Sequence, residues 1–82
     1  MLSLKTIKKY ESEMREKGVS KVARSSRGFL QAYKRAGSSD NLSDNWKKKR
    51  QAFIARHGIQ YKNNPTRRRR LALIAWGYDP ER

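Results

Sequence analysis

Four consecutive arginines, Arg67, Arg68, Arg69 and Arg70, are the side chains in this sequence best suited to recognition chemistry, and their natural targets are anions. A guanidinium is planar, permanently charged and offers paired N–H donors that match two phosphate oxygens or the edge of a guanine. The run follows Asn64-Pro65-Thr66 and precedes Leu71-Ala72-Leu73-Ile74-Ala75-Trp76-Gly77. Asn64 suits a helix cap and Pro65 the first helical position, where its missing N–H costs nothing. Gly77 suits a left-handed stop, and Pro80 prevents a restart. The spacing predicts a helix over 65–76 whose apolar second half lies buried at the centre of the fold. Its arginines then crowd the end that the helix dipole already makes positive, each unfavourable by roughly 0.3–1 kcal/mol at an exposed site. The simplest compensator is an external anion. Successive helical residues lie about 100° apart, so the four side chains fan out and two or three of them reach a common surface. The competing reading is a solvated charge run.

Two further groups carry the same chemistry. Lys47, Lys48 and Lys49, with Arg50 and the more distant Arg56, place point charges that hold phosphate without reading sequence; exposed lysines are also the ordinary surface of a helix. Arg24 and Arg27, with Lys34 and Arg35, surround Ser25, Ser26 and the Gly28 backbone. Taken alone, this last group is more simply a capped helix start.

The elements that must position these residues are helical. Leu4, Ile7, Tyr10 and Met14 share a face over 4–17, closed by Gly18. Val22, Phe29, Leu30, Tyr33 and Ala36 share a phase over 20–36, interrupted at Ser25–Gly28, with Ser25 or Ser26 as the expected cap of the second piece. Gly37 to Asn41 is a loop. A third helix spans 43–57, capped by Ser43 and stopped by Gly58, with Trp46, Phe53 and Ile54 inward and Lys49 and Arg56 aligned seven residues apart. Residues 59–64 form a connector that exposes Tyr61 and Lys62. The expected fold is therefore all-α, a compact small domain of about four helices over residues 1–82. A helix-turn-helix is disfavoured, because the loop from Gly37 to Leu42 exceeds the usual turn. Phe29, Tyr33, Trp46, Phe53 and Trp76 fit core spacing, so they are expected to pack rather than stack on bases.

Composition bounds the rest. Lys and Arg number 21 against 7 acidic residues, a net charge of +14 in 82 residues. Between Val19 and Tyr78 only Asp40 and Asp44 are acidic. Repulsion of this kind destabilises a small domain unless a polyanion relieves it. There is no cysteine and one histidine, so thiolate chemistry is excluded and a metal site lacks ligands. Paired carboxylates for acid–base work are absent, and no enzymatic machinery is visible. No cofactor or small-molecule substrate is expected. Met1 to Lys5 lacks the apolar run of a secretion signal, and no stretch reaches the ~20 apolar residues that cross a bilayer.

Several blocks are similar to known sequences. Val22-Ala23-Arg24-Ser25-Ser26-Arg27-Gly28-Phe29-Leu30-Gln31-Ala32-Tyr33-Lys34-Arg35-Ala36-Gly37, Lys48-Lys49-Arg50-Gln51-Ala52-Phe53-Ile54-Ala55-Arg56-His57, and Pro65-Thr66-Arg67-Arg68 followed by Leu71 to Trp76 resemble a group of small, basic tailed-phage proteins. The resemblance spans roughly residues 19–80. It implies a phage setting (host cytoplasm or virion) and no particular mechanism. Within it lie Arg24, Arg27, Arg50, Arg56 and His57. The expected activity is nucleic-acid binding, DNA favoured over RNA, through phosphates; docking on an acidic host or virion protein is the alternative.

Overall fold

Ser3 opens the first helix, α1 (Leu4–Lys17), by accepting the Thr6 N–H at 3.2 Å. In the computed structural model, which describes residues Met1–Arg82, four further helices follow: α2 (Lys21–Arg24), α3 (Phe29–Ala36), α4 (Asp44–Asn63) and α5 (Arg67–Ile74). A 3₁₀ turn, Ser39–Asn41, precedes α4, and there is no strand. The domain is all-α, as its periodicities predict.

Gly18 ends α1 at φ +64, where its own N–H reaches the Arg15 carbonyl and the Val19 N–H reaches that of Met14. This pattern satisfies carbonyls that the helix would otherwise leave free. Gly77 ends the last helical stretch in the same way at φ +79, with its N–H on Ile74 and the Tyr78 N–H on Leu73.

Three boundaries differ from the sequence expectation, each for a local reason. Neither Ser25 nor Ser26 caps α3: the Ser25 hydroxyl turns back to the Val22 carbonyl at 2.8 Å, and Gly28 occupies the cap position. The third predicted helix does not stop at Gly58; α4 runs through it to Asn63, so the connector over 59–64 is largely helical. What stops the helix is Pro65, whose ring excludes the preceding Asn64 from α-helical geometry and leaves it at φ −149. The final helix begins at Arg67, with Thr66 rather than Asn64 as its cap and a 3.1 Å bond from the Arg69 N–H to the Thr66 hydroxyl.

Helix α5 lies at the centre. Leu71, Leu73, Ile74 and Ala75 are fully buried, and Leu71, Ile74 and Ala75 join one cluster with Ile7 and Met14 of α1 and Phe29 and Leu30 of α3. The N-terminal strap is pinned over this core, with the Leu2 N–H on the Gly77 carbonyl and the Tyr33 hydroxyl on the Leu2 carbonyl, both at 2.9 Å. Helix α4 packs on α5 along one side only. None of its 20 residues is buried. Trp46, Arg50, Phe53, Ile54, His57 and Tyr61 form a half-buried inner stripe, and the opposite face is open to solvent.

Candidate nucleic-acid interface

The arginine run finds its anions inside the chain. Arg67 donates from Nε and Nη2 to the two carboxylate oxygens of Glu13, both at 2.7 Å, and so ties α5 to α1. Arg70 grips Asp79 in the same bidentate fashion at 3.0 and 2.9 Å, and Asp79 is buried. Arg68 donates to the carbonyls of Lys17 at 2.6 Å and Gly18 at 3.4 Å, capping the C-terminal end of α1. Arg69 reaches back to the Asn64 carbonyl at 3.3 Å. The expectation that only an external anion makes this run comfortable is therefore corrected. Glu13 and Asp79 offset half of it, and free carbonyls take up much of the rest.

These pairs shift the acids that make them. The Arg67 hydrogen bond holds the Glu13 carboxyl below the usual range, and the Arg70 hydrogen bond does the same for Asp79 against the opposing effect of burial. A carboxyl with a depressed folded-state pKa contributes its full stability above the unfolded value, about 3.9 for Asp, and loses it as pH falls through the folded value. Acid should therefore destabilise the protein progressively below about pH 4. Asp79→Asn should lower stability at pH 7 by about 2 kcal/mol and weaken the acid dependence, measured as urea midpoints at pH 7 and pH 3. An unchanged pH dependence in the variant would show that the pair carries none of it.

Arg50 projects inward, as its place beside the apolar stripe requires, and donates to the carbonyls of Trp76 at 2.7 Å and Gly77 at 3.0 Å. Burial lowers its pKa. It closes the C-terminal end of the central helix, where a cation is favoured.

The second cationic group behaves differently. Lys48 and Arg56 are exposed, and neither is ion-paired to any of the seven carboxylates. Lys49 lies 4.8 Å from the centre of the Trp46 ring, a cation–π contact that leaves its charge outward. Lys47 touches only the Asp40 carbonyl, at 3.5 Å. In the third group, Arg24 is held by the Val19 carbonyl at 2.9 Å and Arg35 by that of Ser26 at 3.0 Å, while Lys34 pairs with Glu11 at 3.5 Å. Arg27 is exposed. The structure thus leaves Lys48, Lys49 and Arg56 exposed on one long surface helix, with Lys47 half-buried beside them, and ties most of the other candidates into contacts within the chain.

The aromatic residues pack on the core and on one another, as their spacing predicts, but with different degrees of cover. Phe29 and Tyr33 are buried, but Trp46, Phe53 and Trp76 are only half-buried. Trp76 stacks between Phe29 at 5.0 Å and Phe53 at 4.9 Å, and Phe53 stacks in turn on His57 at 3.9 Å. Burial first, and then the charge of Arg56, lower the His57 pKa, so its ring is neutral at pH 7.

Two adjoining hollows border this row of rings. One, of about 390 Å³, is lined by His57, Arg68 and Arg69 with Thr66, Ser20 and Ala72. The other, of about 510 Å³, is lined by Phe53, Trp76 and Ala72 on one side and Ser20, Lys21 and Val22 on the other. Sequence reasoning missed Lys21 and set Val22 on the core face with Phe29 and Leu30; Val22 is exposed instead, because the break at Ser25–Gly28 gives α2 and α3 separate helical phases. Across α4 lies an apolar groove of about 550 Å³ formed by Ile54, Ile59, Tyr61, Tyr78 and Pro80.

No three His, Cys, Asp or Glu side chains come together as a metal site. No helix is long and apolar enough to cross a membrane. Compared with known proteins, the chain matches no family model, no curated protein and no solved structure.

Proposed function

We propose that this protein binds nucleic acid, DNA above all, chiefly through phosphate contacts from the outer face of α4 and with little sequence readout. One observation carries the reading. A helix of 20 residues, roughly 30 Å long, buries none of them and presents Lys48, Lys49 and Arg56 to solvent without carboxylate partners. The few acids that form ion pairs, Glu11, Glu13 and Asp79, serve other cations. The net charge of +14 is therefore expressed mainly outward, where a polyanion relieves it. In the phage setting implied by the sequence resemblance, in host cytoplasm or virion, the genome is such a polyanion.

The test is a titration of a fluorescent DNA duplex at several salt concentrations, read by anisotropy. About five or six engaged phosphates give a slope near −5 for log K against log salt. Absence of salt-dependent binding to DNA or RNA would overturn the reading. Docking on an acidic protein is a second reading, favoured by the apolar groove in which Ile59 remains 63% exposed. A partner captured by affinity pull-down that survives nuclease treatment would favour it.

A further inference from the structure

We infer that the trench between α4 and the α2 turn receives an unstacked nucleobase, so that the protein prefers single-stranded nucleic acid to duplex; this rests on the nucleic-acid reading above and narrows its substrate. Three features of the trench converge on that ligand.

The first is an apolar residue in water beside an aromatic wall. Val22 is 78% exposed, the most exposed large apolar side chain in the protein, and lines the same hollow as Phe53 and Trp76. A flat ring in that hollow covers Val22 and the exposed edges of Phe53 and Trp76. The second is the row of rings itself. Trp76, Phe53 and His57 stack in sequence, and His57 borders the second hollow. Trp76 and Phe53 already carry a ring on each face, so a further ring extends the row at His57, and because every base has a π-face, such a contact is tolerant of sequence. The third is charge. Arg68 and Arg69 line the hollow beside His57, and neither is bound to a carboxylate. Arg69 spends one N–H on a carbonyl and Arg68 two, which leaves the remaining donors of each five-donor guanidinium for a phosphate.

The two hollows share Ser20 and Ala72 as walls, so rings and cations belong to one trench. Volumes of about 390 and 510 Å³ are also those of small-ligand pockets. A single strand can offer a free base and its phosphate side by side. A duplex keeps its bases stacked inside and meets only the cations of α4.

The experiment compares a 12-nucleotide oligothymidylate with a DNA hairpin carrying the same number of phosphates, using anisotropy for affinity and tryptophan fluorescence for stacking near Trp76. The single strand should bind about tenfold more tightly and quench the fluorescence; the hairpin should leave it nearly unchanged. Val22→Ser, at a site too exposed to matter for folding, and His57→Ala should each reduce the preference while sparing hairpin affinity. Circular dichroism checks that His57→Ala remains helical; if it does not, Val22→Ser decides alone. Equal affinity, tighter hairpin binding, or a preference unaltered by Val22→Ser would overturn the inference and leave phosphate binding standing. Failure to bind either oligonucleotide would remove both.

Discussion

Replacing Gly28 by alanine should destabilise the protein by about 3 kcal/mol or more, among the largest effects of any single methyl group added to this chain. A Cβ at Gly28 would stand 2.1 Å from the Val22 carbonyl oxygen and 2.5 Å from that of Ala23. Both neighbours are backbone atoms, so no side-chain rotation relieves the clash. Helix α2 would have to move away from the start of α3, where Ala23, Phe29 and Leu30 are buried. The backbone at Gly28 has φ −91, open to any residue, so the requirement is one of space alone. In a domain of this size such a loss lowers the melting temperature by roughly 10–25 °C. Thermal unfolding measures it, and a change under about 3 °C would mean that α2 is not packed as described. Gly58 is the control for free space, since a Cβ there meets nothing within 4 Å and its backbone is helical.

The second large effect concerns binding. Changing Lys48, Lys49 and Arg56 together to glutamine should weaken DNA binding by roughly 10²–10³-fold near 0.1 M salt, because three phosphates then keep the counterions that the native side chains displace. The fold should tolerate the change, since the replaced side chains lie on a helix without buried residues and glutamine is a comparable helix former. The arginine run predicts the opposite balance. Arg67 and Arg70 are committed to Glu13 and Asp79, so their removal should be felt first as instability. Intact affinity in the triple variant would move the interface away from α4.

What the sequence makes legible here is what is local. Periodicity at Ile7 and Met14 or at Phe29, Leu30 and Tyr33 places core faces, and Gly18 and Gly77 end helices because their left-handed geometry depends on immediate neighbours. Gly58 misleads, since glycine permits a stop without imposing one; Pro65 imposes it. The arginine run misleads for a different reason. One of its two carboxylate partners, Glu13, lies 54 residues away, and no spacing rule connects the two. Asp79 is only nine residues from Arg70, yet the pairing requires the reversal at Gly77 and the burial of the tail, which are tertiary facts. Lys48, Lys49 and Arg56, by contrast, are legible in the sequence as exposed cations and stay exposed in the fold, while the trench needs α2, α4 and α5 to be brought together.

The decisive comparison is the salt dependence of DNA binding by the intact chain and by the Lys48→Gln, Lys49→Gln, Arg56→Gln variant, taken as slopes of log K against log salt. Each cation removed from a phosphate should flatten the slope by close to one unit. A slope near −5 for the intact chain, reduced by about three units in the variant, is the expected result. Identical slopes for the two proteins, or no dependence on salt in either, would contradict a phosphate-binding face on α4.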